Sequence, residues 1–185
     1  MLSYDKKIGV FAGGFKPLTK AHYSIILKAS KENDEVFIFA STKDRKRKSE
    51  HPIFWADMEN VWLKYIYLIL PTNVKVCFTE NPITSVYYLL EKSSDKEEKK
   101  YFNLYGEKKD LESAFPLNRL EKRINSNFFG QKIKFVHILR ENKMLISATQ
   151  MRNCLKQGNK KAFKNLLPPP LRSKSDIIFQ DLHHT

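Results

Sequence analysis

In the stretch GGFKPLTKAH (residues 13–22), a threonine and a histidine, Thr19 and His22, follow a pair of glycines. Thr19 is a good helix N-cap, and a helix that begins there places His22 one turn inside it. A hydroxyl, an imidazole and the leading backbone amides then converge, with the helix dipole behind them, and that combination suits an anion. Gly13 and Gly14 permit a tight turn and close backbone approach, and Pro17 fixes the chain just ahead of the helix. The stretch is not a Walker A loop and lacks the spacing of the dinucleotide GxGxxG fingerprint. Near the other end, ISATQMR (residues 146–152) repeats the theme. Ser147 and Gln150 have capping-box spacing, which puts Thr149 and Arg152 in the first turn of another helix. Between these motifs runs a cationic stretch, with Lys43, Arg45, Lys46, Arg47 and Lys48 inside six residues. Such a run is ordinarily a solvated loop, but this one directly follows an expected strand end.

The elements that must position these residues alternate between strand and helix, which predicts a parallel sheet covered on both faces. Residues 8–12 read as a first, buried strand ending at the glycines, and residues 36–40 as a second. A long apolar stripe, Phe54, Met58, Val61, Trp62, Tyr65, Ile66 and Ile69, predicts a helix that Pro71 ends. Trp62 falls in the stripe and reads as core; Trp55 lies off it and could be core or a stacking platform. A third strand is expected at 74–78, then a helix opened by Pro82 with Val86, Leu89 and Leu90 buried. Residues 93–100 read as a surface loop and 101–105 as a fourth strand, followed by GEKKD (106–110), a weak motif. Residues 111–124 read as helical with a break near Pro116, and 133–139 as a fifth strand. Gly158 sits where a C-terminal left-handed cap would be, and a last helix is expected to run to Leu167, where three prolines stop it. Open parallel sheets bind ligands beyond the carboxyl ends of their strands, so the loop after the first strand is the place to expect one.

The chain has 185 residues, 42% hydrophobic and 29% charged, an ordinary balance for one folded domain. The single domain is expected to have its core over about residues 8–168 and a tail over 169–185. Apolar runs are too short to predict a membrane span, and the N-terminus lacks the apolar core of a signal peptide, so the cytoplasm is the expected location. Cys77 and Cys154 sit in apolar patterns and read as buried free thiols rather than metal ligands. His183 and His184 read as tail residues without chemistry. The formal net charge of +13 predicts anionic partners without choosing among them.

GGFKPLTKAH resembles the GxFDPxHxGH signature of the cytidylyltransferase-like nucleotidyltransferase superfamily, and ISATQMR resembles its second signature, ISSTxxR. The resemblance covers roughly residues 8–168, and the pattern is most similar to a GGFKP-type branch often found in phage genomes. In a phage-encoded protein the location would be the host cytoplasm. The resemblance implies an α/β fold, a Rossmann-like three-layer α/β/α arrangement around a five-stranded, mostly parallel sheet. It implies transfer of a nucleoside monophosphate from ATP or CTP to a phosphorylated small molecule, such as nicotinamide mononucleotide or phosphopantetheine. Mg²⁺ would arrive with the triphosphate, and pyrophosphate would leave. Carried over by position, His22 contacts the α-phosphate and Thr19 binds phosphate beside it, with Gly13, Gly14 and Phe15 shaping the floor and Lys16 among the nucleotide-binding residues. Ser147, Thr149 and Arg152 hold the β- and γ-phosphates, and Lys43, with Arg45 second, supplies the cation after the second strand. The chain departs from the pattern at Lys16, where the family usually has Asp, at Ala21 for Gly, and at Ala148 for Ser.

Pro17 and the absence of RTEG before the second motif favour AMP transfer over CMP transfer to an alcohol or sugar phosphate. A reading from another class is a basic nucleic-acid-binding domain with a degenerate site. It lacks any RNP, zinc or helix-turn-helix signature, and the cationic run carries no aromatic for base stacking. Specific nucleic-acid binding is therefore not expected.

Overall fold

The computed structural model describes residues 6–94, 100–124, 132–137 and 147–183. Its strands are β1 (Lys6–Gly13), β2 (Glu35–Ser41), β3 (Val74–Thr79), β4 (Lys100–Gly106) and β5 (Ile133–His137). They form one sheet in the order β3-β2-β1-β4-β5, and every neighbouring pair is parallel. The order reverses at β1, as a doubly wound α/β sheet requires. Five expected strands are thus five observed strands, and the fold is Rossmann-like α/β/α.

The chain divides into two compact units. One comprises Met1–Gly13, Ile25–Ser41 and Thr72–Glu141, and holds the sheet. Helices α3 (Pro82–Ser94), α4 (Lys108–Ala114) and α5 (Leu117–Arg123) belong to it. Its core joins Ile8 and Val10 of β1, Phe39 of β2, and Phe102 and Leu104 of β4 to Val86, Tyr87 and Leu90 of α3. Leu111, Phe115, Leu120 and Ile124 complete the cluster. The period-two alternation of the strands thus meets the helical stripe of α3, the complementarity that builds such layers. The break expected near Pro116 lies between α4 and α5. Helix α3 extends to Ser94 and buries Ser93, and Lys100 belongs to β4, so both ends of the surface loop expected over 93–100 are regular structure; residues 95–99 lie outside the described residues. Cys77 is only half-buried, whereas Cys154 is buried as expected.

A polar knot underlies the end of α1 (Lys20–Glu32), where Asn33 is buried. Its Nδ2 donates to the Ala29 carbonyl and to the Tyr105 hydroxyl, and its Oδ1 accepts from Asn103 Nδ2 at 2.7 Å. Tyr105 in turn donates to Glu32 at 2.7 Å. Gly9 leaves room for this knot: a Cβ there would lie 2.9 Å from Asn33 Nδ2.

The other unit comprises Gly14–Ser24, Thr42–Pro71 and Asn142–Thr185. Its longest helical stretch starts with α2 (Trp55–Val61), continues as a π turn over Trp62–Ile66 and tightens to a 3₁₀ turn over Tyr67–Ile69. Met58, Val61, Trp62 and Ile66 are buried, while Phe54, assigned to the apolar stripe, precedes the helix and is exposed. Trp62 is core, as its place in the stripe predicts. Gly158 adopts a left-handed φ of 66°, as expected of a C-terminal cap, between α6 (Ala148–Lys156) and α7 (Lys160–Leu166). The prolines do stop α7, but the chain then forms a 3₁₀ turn (Pro169–Lys174) and α8 (Ser175–Leu182). The expected tail is therefore ordered as far as His183. Its Phe179 meets Phe163 edge to face and stacks on His183, which stacks in turn on His51. His51 Nε2 lies 3.0 Å from the Leu182 carbonyl oxygen. His184 and residues 138–146 lie outside the described residues.

Two expectations follow. Gly9→Ala should cost about 1–3 kcal/mol, because Asn33 is tied by three bonds and cannot swing aside. Denaturant unfolding would check this, and an unchanged midpoint would contradict it. Burial holds the His51 ring below its ordinary pKa, with the Leu182 carbonyl opposing and His183 adding to the depression. As pH falls below about 6.5, the unfolded chain takes up this proton first. The stability tied to a neutral His51 is thus complete above that pH and is lost as pH falls towards the depressed folded value. The fall in Tm between neutral and acid pH should be shallower in His51→Asn than in the native chain.

Candidate functional site

The loop after β1 carries Gly13 as the last strand residue, then exposed Gly14 and three buried residues, Phe15, Lys16 and Pro17. Phe15 sits at φ 48°, a left-handed conformation uncommon for a residue with a side chain, and the Lys16–Pro17 peptide is cis. A left-handed φ at such a residue persists only where surroundings over-determine it. Here the Phe15 ring packs edge-on against His22, centroids 5.1 Å apart, and against Trp62 at 6.3 Å.

Thr19 caps α1 reciprocally with His22. The His22 amide donates to Thr19 Oγ1, and the Thr19 amide donates to His22 Nδ1, both at 3.2 Å. The arrangement is a capping box with histidine in the place usually held by glutamate. Because Nδ1 accepts, a neutral ring carries its proton on Nε2. The expectation that hydroxyl and imidazole meet at a helix start is borne out geometrically. Thr19 is fully buried, however, so its hydroxyl serves the cap.

Helix α6 opens with the expected box: Gln150 N donates to Ser147 Oγ at 3.3 Å and Ser147 N to Gln150 Oε1 at 3.1 Å. Arg152, only 4% exposed, is engaged at every nitrogen. Its Nε donates to Glu50 Oε2 and its Nη1 to the Lys16 carbonyl, each at 2.5 Å, while Nη2 donates to Thr149 Oγ1 at 2.9 Å. Thr149 Oγ1 donates to Glu50 Oε1 at 3.5 Å. Arg45 Nε lies 3.6 Å from Glu50 Oε2. Arg152 and Arg45 hold the Glu50 carboxyl below the usual carboxylate range, the hydrogen bond from Arg152 contributing most.

Glu50 is the residue missed in the sequence. It stands at the end of a run singled out for its cations, where a lone acid carries no pattern of its own. The run itself is shaped by a small antiparallel bridge, with Arg45 N to Ile53 O at 2.8 Å and Ile53 N to Arg45 O at 3.0 Å. Lys156 Nζ reaches the Ser49 carbonyl, a further tie from α6 to this run. Geometry therefore brings together Arg45, Thr149, Arg152 and the backbone of Lys16. Lys43 is exposed, and Lys46 faces outward, paired with Asp44 at 2.9 Å and lying over the Phe54 ring.

Lys16 is buried, with Nζ 5.3 Å from the centroid of Trp55. Trp55, left open between core and platform, is half-buried beneath this ammonium, and its amide donates to Asp44 Oδ1 at 2.8 Å. Desolvation pulls the Lys16 amine down to about 8, against an opposing pull from Asp44. The amine thus still carries its charge at neutral pH but loses it at mildly alkaline pH, an unusual state for lysine.

No family model matches the chain. It is 30% identical over 150 residues, covering 69% of itself and 87% of the relative, to the phosphopantetheine adenylyltransferase of Lactococcus lactis subsp. cremoris (strain MG1363). It is 28% identical to the protein of the same name from Lactococcus lactis subsp. lactis (strain IL1403), with the same coverage of both chains. Its structure resembles Plasmodium falciparum nicotinic acid mononucleotide adenylyltransferase complexed with NaAD, with a TM-score of 0.56 at 17% identity over 95% of this chain and 96% of that one. A bifunctional NMN adenylyltransferase/ADP ribose pyrophosphatase from Francisella tularensis gives 0.60 at 16% identity, covering 96% of this chain and 52% of that one. Those two likenesses, at low identity, speak for the fold. With the sequence relationship, they place the chain in the cytidylyltransferase-like nucleotidyltransferase superfamily, as an enzyme of adenylyltransferase type that moves AMP onto a phosphorylated small molecule.

Proposed function

We propose that the protein transfers AMP from MgATP to phosphopantetheine in the cytoplasm, with nicotinate or nicotinamide mononucleotide as the second class of acceptor to test. The sequence relatives support the first acceptor, and the names of the structural neighbours suggest the second. An oxygen of the acceptor phosphate attacks the α-phosphorus of ATP in line. The bond to the bridging β-phosphate oxygen breaks, and pyrophosphate departs. Little acid-base work is needed; the protein's contribution is placement and charge.

The reciprocal Thr19–His22 cap is the observation that carries this reading. By accepting the Thr19 amide, Nδ1 commits the neutral ring to donate from Nε2, a preorganised donor for charge developing on the α-phosphate. Thr19 fixes the imidazole through the cap, the glycines Gly13 and Gly14 let the backbone approach the nucleotide, and Phe15 braces the imidazole edge. Lys16, Arg45 and Arg152 supply positive charge to the β- and γ-phosphates. Ser147 and Thr149 present the opening of α6 to the same anion, and exposed Lys43 draws the triphosphate in from solvent. Mg²⁺ belongs to the nucleotide in this reading. Glu50 is committed to two guanidinium groups and Asp44 to Lys46 and the Trp55 amide. Among the described residues, no three His, Cys, Asp or Glu side chains are grouped to hold a metal.

The direct test is pyrophosphate release with ATP or CTP against phosphopantetheine and both mononucleotides. ATP with phosphopantetheine should give the highest kcat/KM; turnover with CTP alone would refute the donor assignment. His22→Ala should lower kcat by roughly 10²–10³ while leaving Tm within a few degrees, since the lost group is a donor to developing charge. Near-native turnover in that variant would remove the role. For Lys16, the charge that attracts phosphate is present below pH about 8 and disappears above it. The value of kcat/KM for ATP should therefore fall on the alkaline side, approaching about tenfold per pH unit. Lys16→Arg, charged throughout, should move that limb upward; an unmoved limb would assign it to another group.

A further inference from the structure

The geometry points to Glu50 as the positioning residue of this site, a buried carboxylate that fixes the Arg152 guanidinium and, through the Thr149 hydroxyl, the opening of α6 where they would hold the triphosphate. The inference rests on the proposed function, since it assigns Glu50 a part in AMP transfer. Three segments carry residues assigned to the nucleotide: the loop after β1, the cationic run and the opening of α6. Glu50 and Arg152 join all three. One Glu50 oxygen accepts from Arg152 Nε at 2.5 Å and lies 3.6 Å from Arg45 Nε. The other accepts from Thr149 Oγ1 at 3.5 Å, and Arg152 Nη1 holds the Lys16 carbonyl. The Glu50 side chain is only 7% exposed and that of Arg152 only 4%.

Electrostatics separates a positioning role from an affinity role. A carboxylate beside two guanidinium groups subtracts positive potential from a site that must hold a polyanion. Glu50 therefore works against ground-state attraction of ATP, and its contribution must lie in geometry. A guanidinium without its anchor samples several directions, and a displacement of about 1 Å can cost roughly 10²-fold in rate. The shift of Glu50 towards the ionised form, driven first by Arg152, keeps the anchor charged. A residue that merely supported the fold would lower Tm without changing kcat or KM per folded molecule.

The experiment measures kcat and KM for ATP in the full chain with its best acceptor, together with Tm. Glu50→Gln should lower kcat roughly 10–100-fold while KM for ATP stays level or falls. Glu50→Asp keeps the charge but withdraws it by one methylene, so kcat should fall without a lower KM. On an Arg152→Lys background, Glu50→Gln should cost far less than it does in the native chain, because the residues act as one unit. A kcat within about twofold of native in Glu50→Gln, or a raised KM at native kcat, overturns the inference. Should Glu50→Gln fail to fold, Glu50→Asp decides by the same readout: native kcat overturns the positioning role and lowered kcat supports it. A native chain that transfers AMP to no acceptor removes the proposed function, and this inference with it. An active native chain with an unaffected variant removes the inference alone.

Discussion

Burying a guanidinium and a carboxylate together costs several kcal/mol per ion, and their attraction repays it only when hydrogen bonds satisfy the remaining polar atoms. Arg152 and Glu50 meet that condition because Thr149 and the Lys16 carbonyl take up the rest of the fork. The loop after β1, the cationic run and α6 are thus tied at a point where every partner depends on the others. Neighbouring features follow from it. Phe15 can be held at a positive φ because the next residue's carbonyl is gripped by Arg152, while its ring is packed on His22 and Trp62. The cationic run, otherwise a self-repelling loop, is held at Arg45 by the bridge to Ile53 and at Glu50 by Arg152.

Much of this was legible because it rests on local rules. Thr19 with His22, and Ser147 with Gln150, declare their caps by spacing alone, and Gly158 declares its left-handed turn. The strands show themselves by apolar runs that end at turn residues. What escaped depends on distant partners. Glu50 acquires its meaning only beside Arg152, 102 positions away. Helix α8 lies where a tail is expected, yet Phe179 and Leu182 are buried and His51 reaches the end of that helix. The π turn at Trp62–Ile66 leaves no mark in a heptad-like stripe, since the same residues suit either helix.

Lys16 shows how one departure from a family pattern can be absorbed. An acid is usual in this place, and a lysine reverses the charge. Burial over the Trp55 ring, opposed by Asp44, then softens the reversal by drawing the amine towards neutrality. The indole face interacts favourably with the ammonium when the charge is present. A fixed charge would not permit that compromise, so lysine and arginine differ in kind at this position rather than in degree.

The glycines at 9 and 158 are constrained by unlike physics. Gly9 is a matter of volume, because a Cβ meets Asn33, so tolerance there should shrink steadily as side chains grow. Gly158 has open space around it and a φ of 66°, so its restriction is torsional. In a saturation library the accepted residues at 158 would be ranked by ease of entering the left-handed region, with Asn and Asp ahead of Ala and bulk nearly irrelevant.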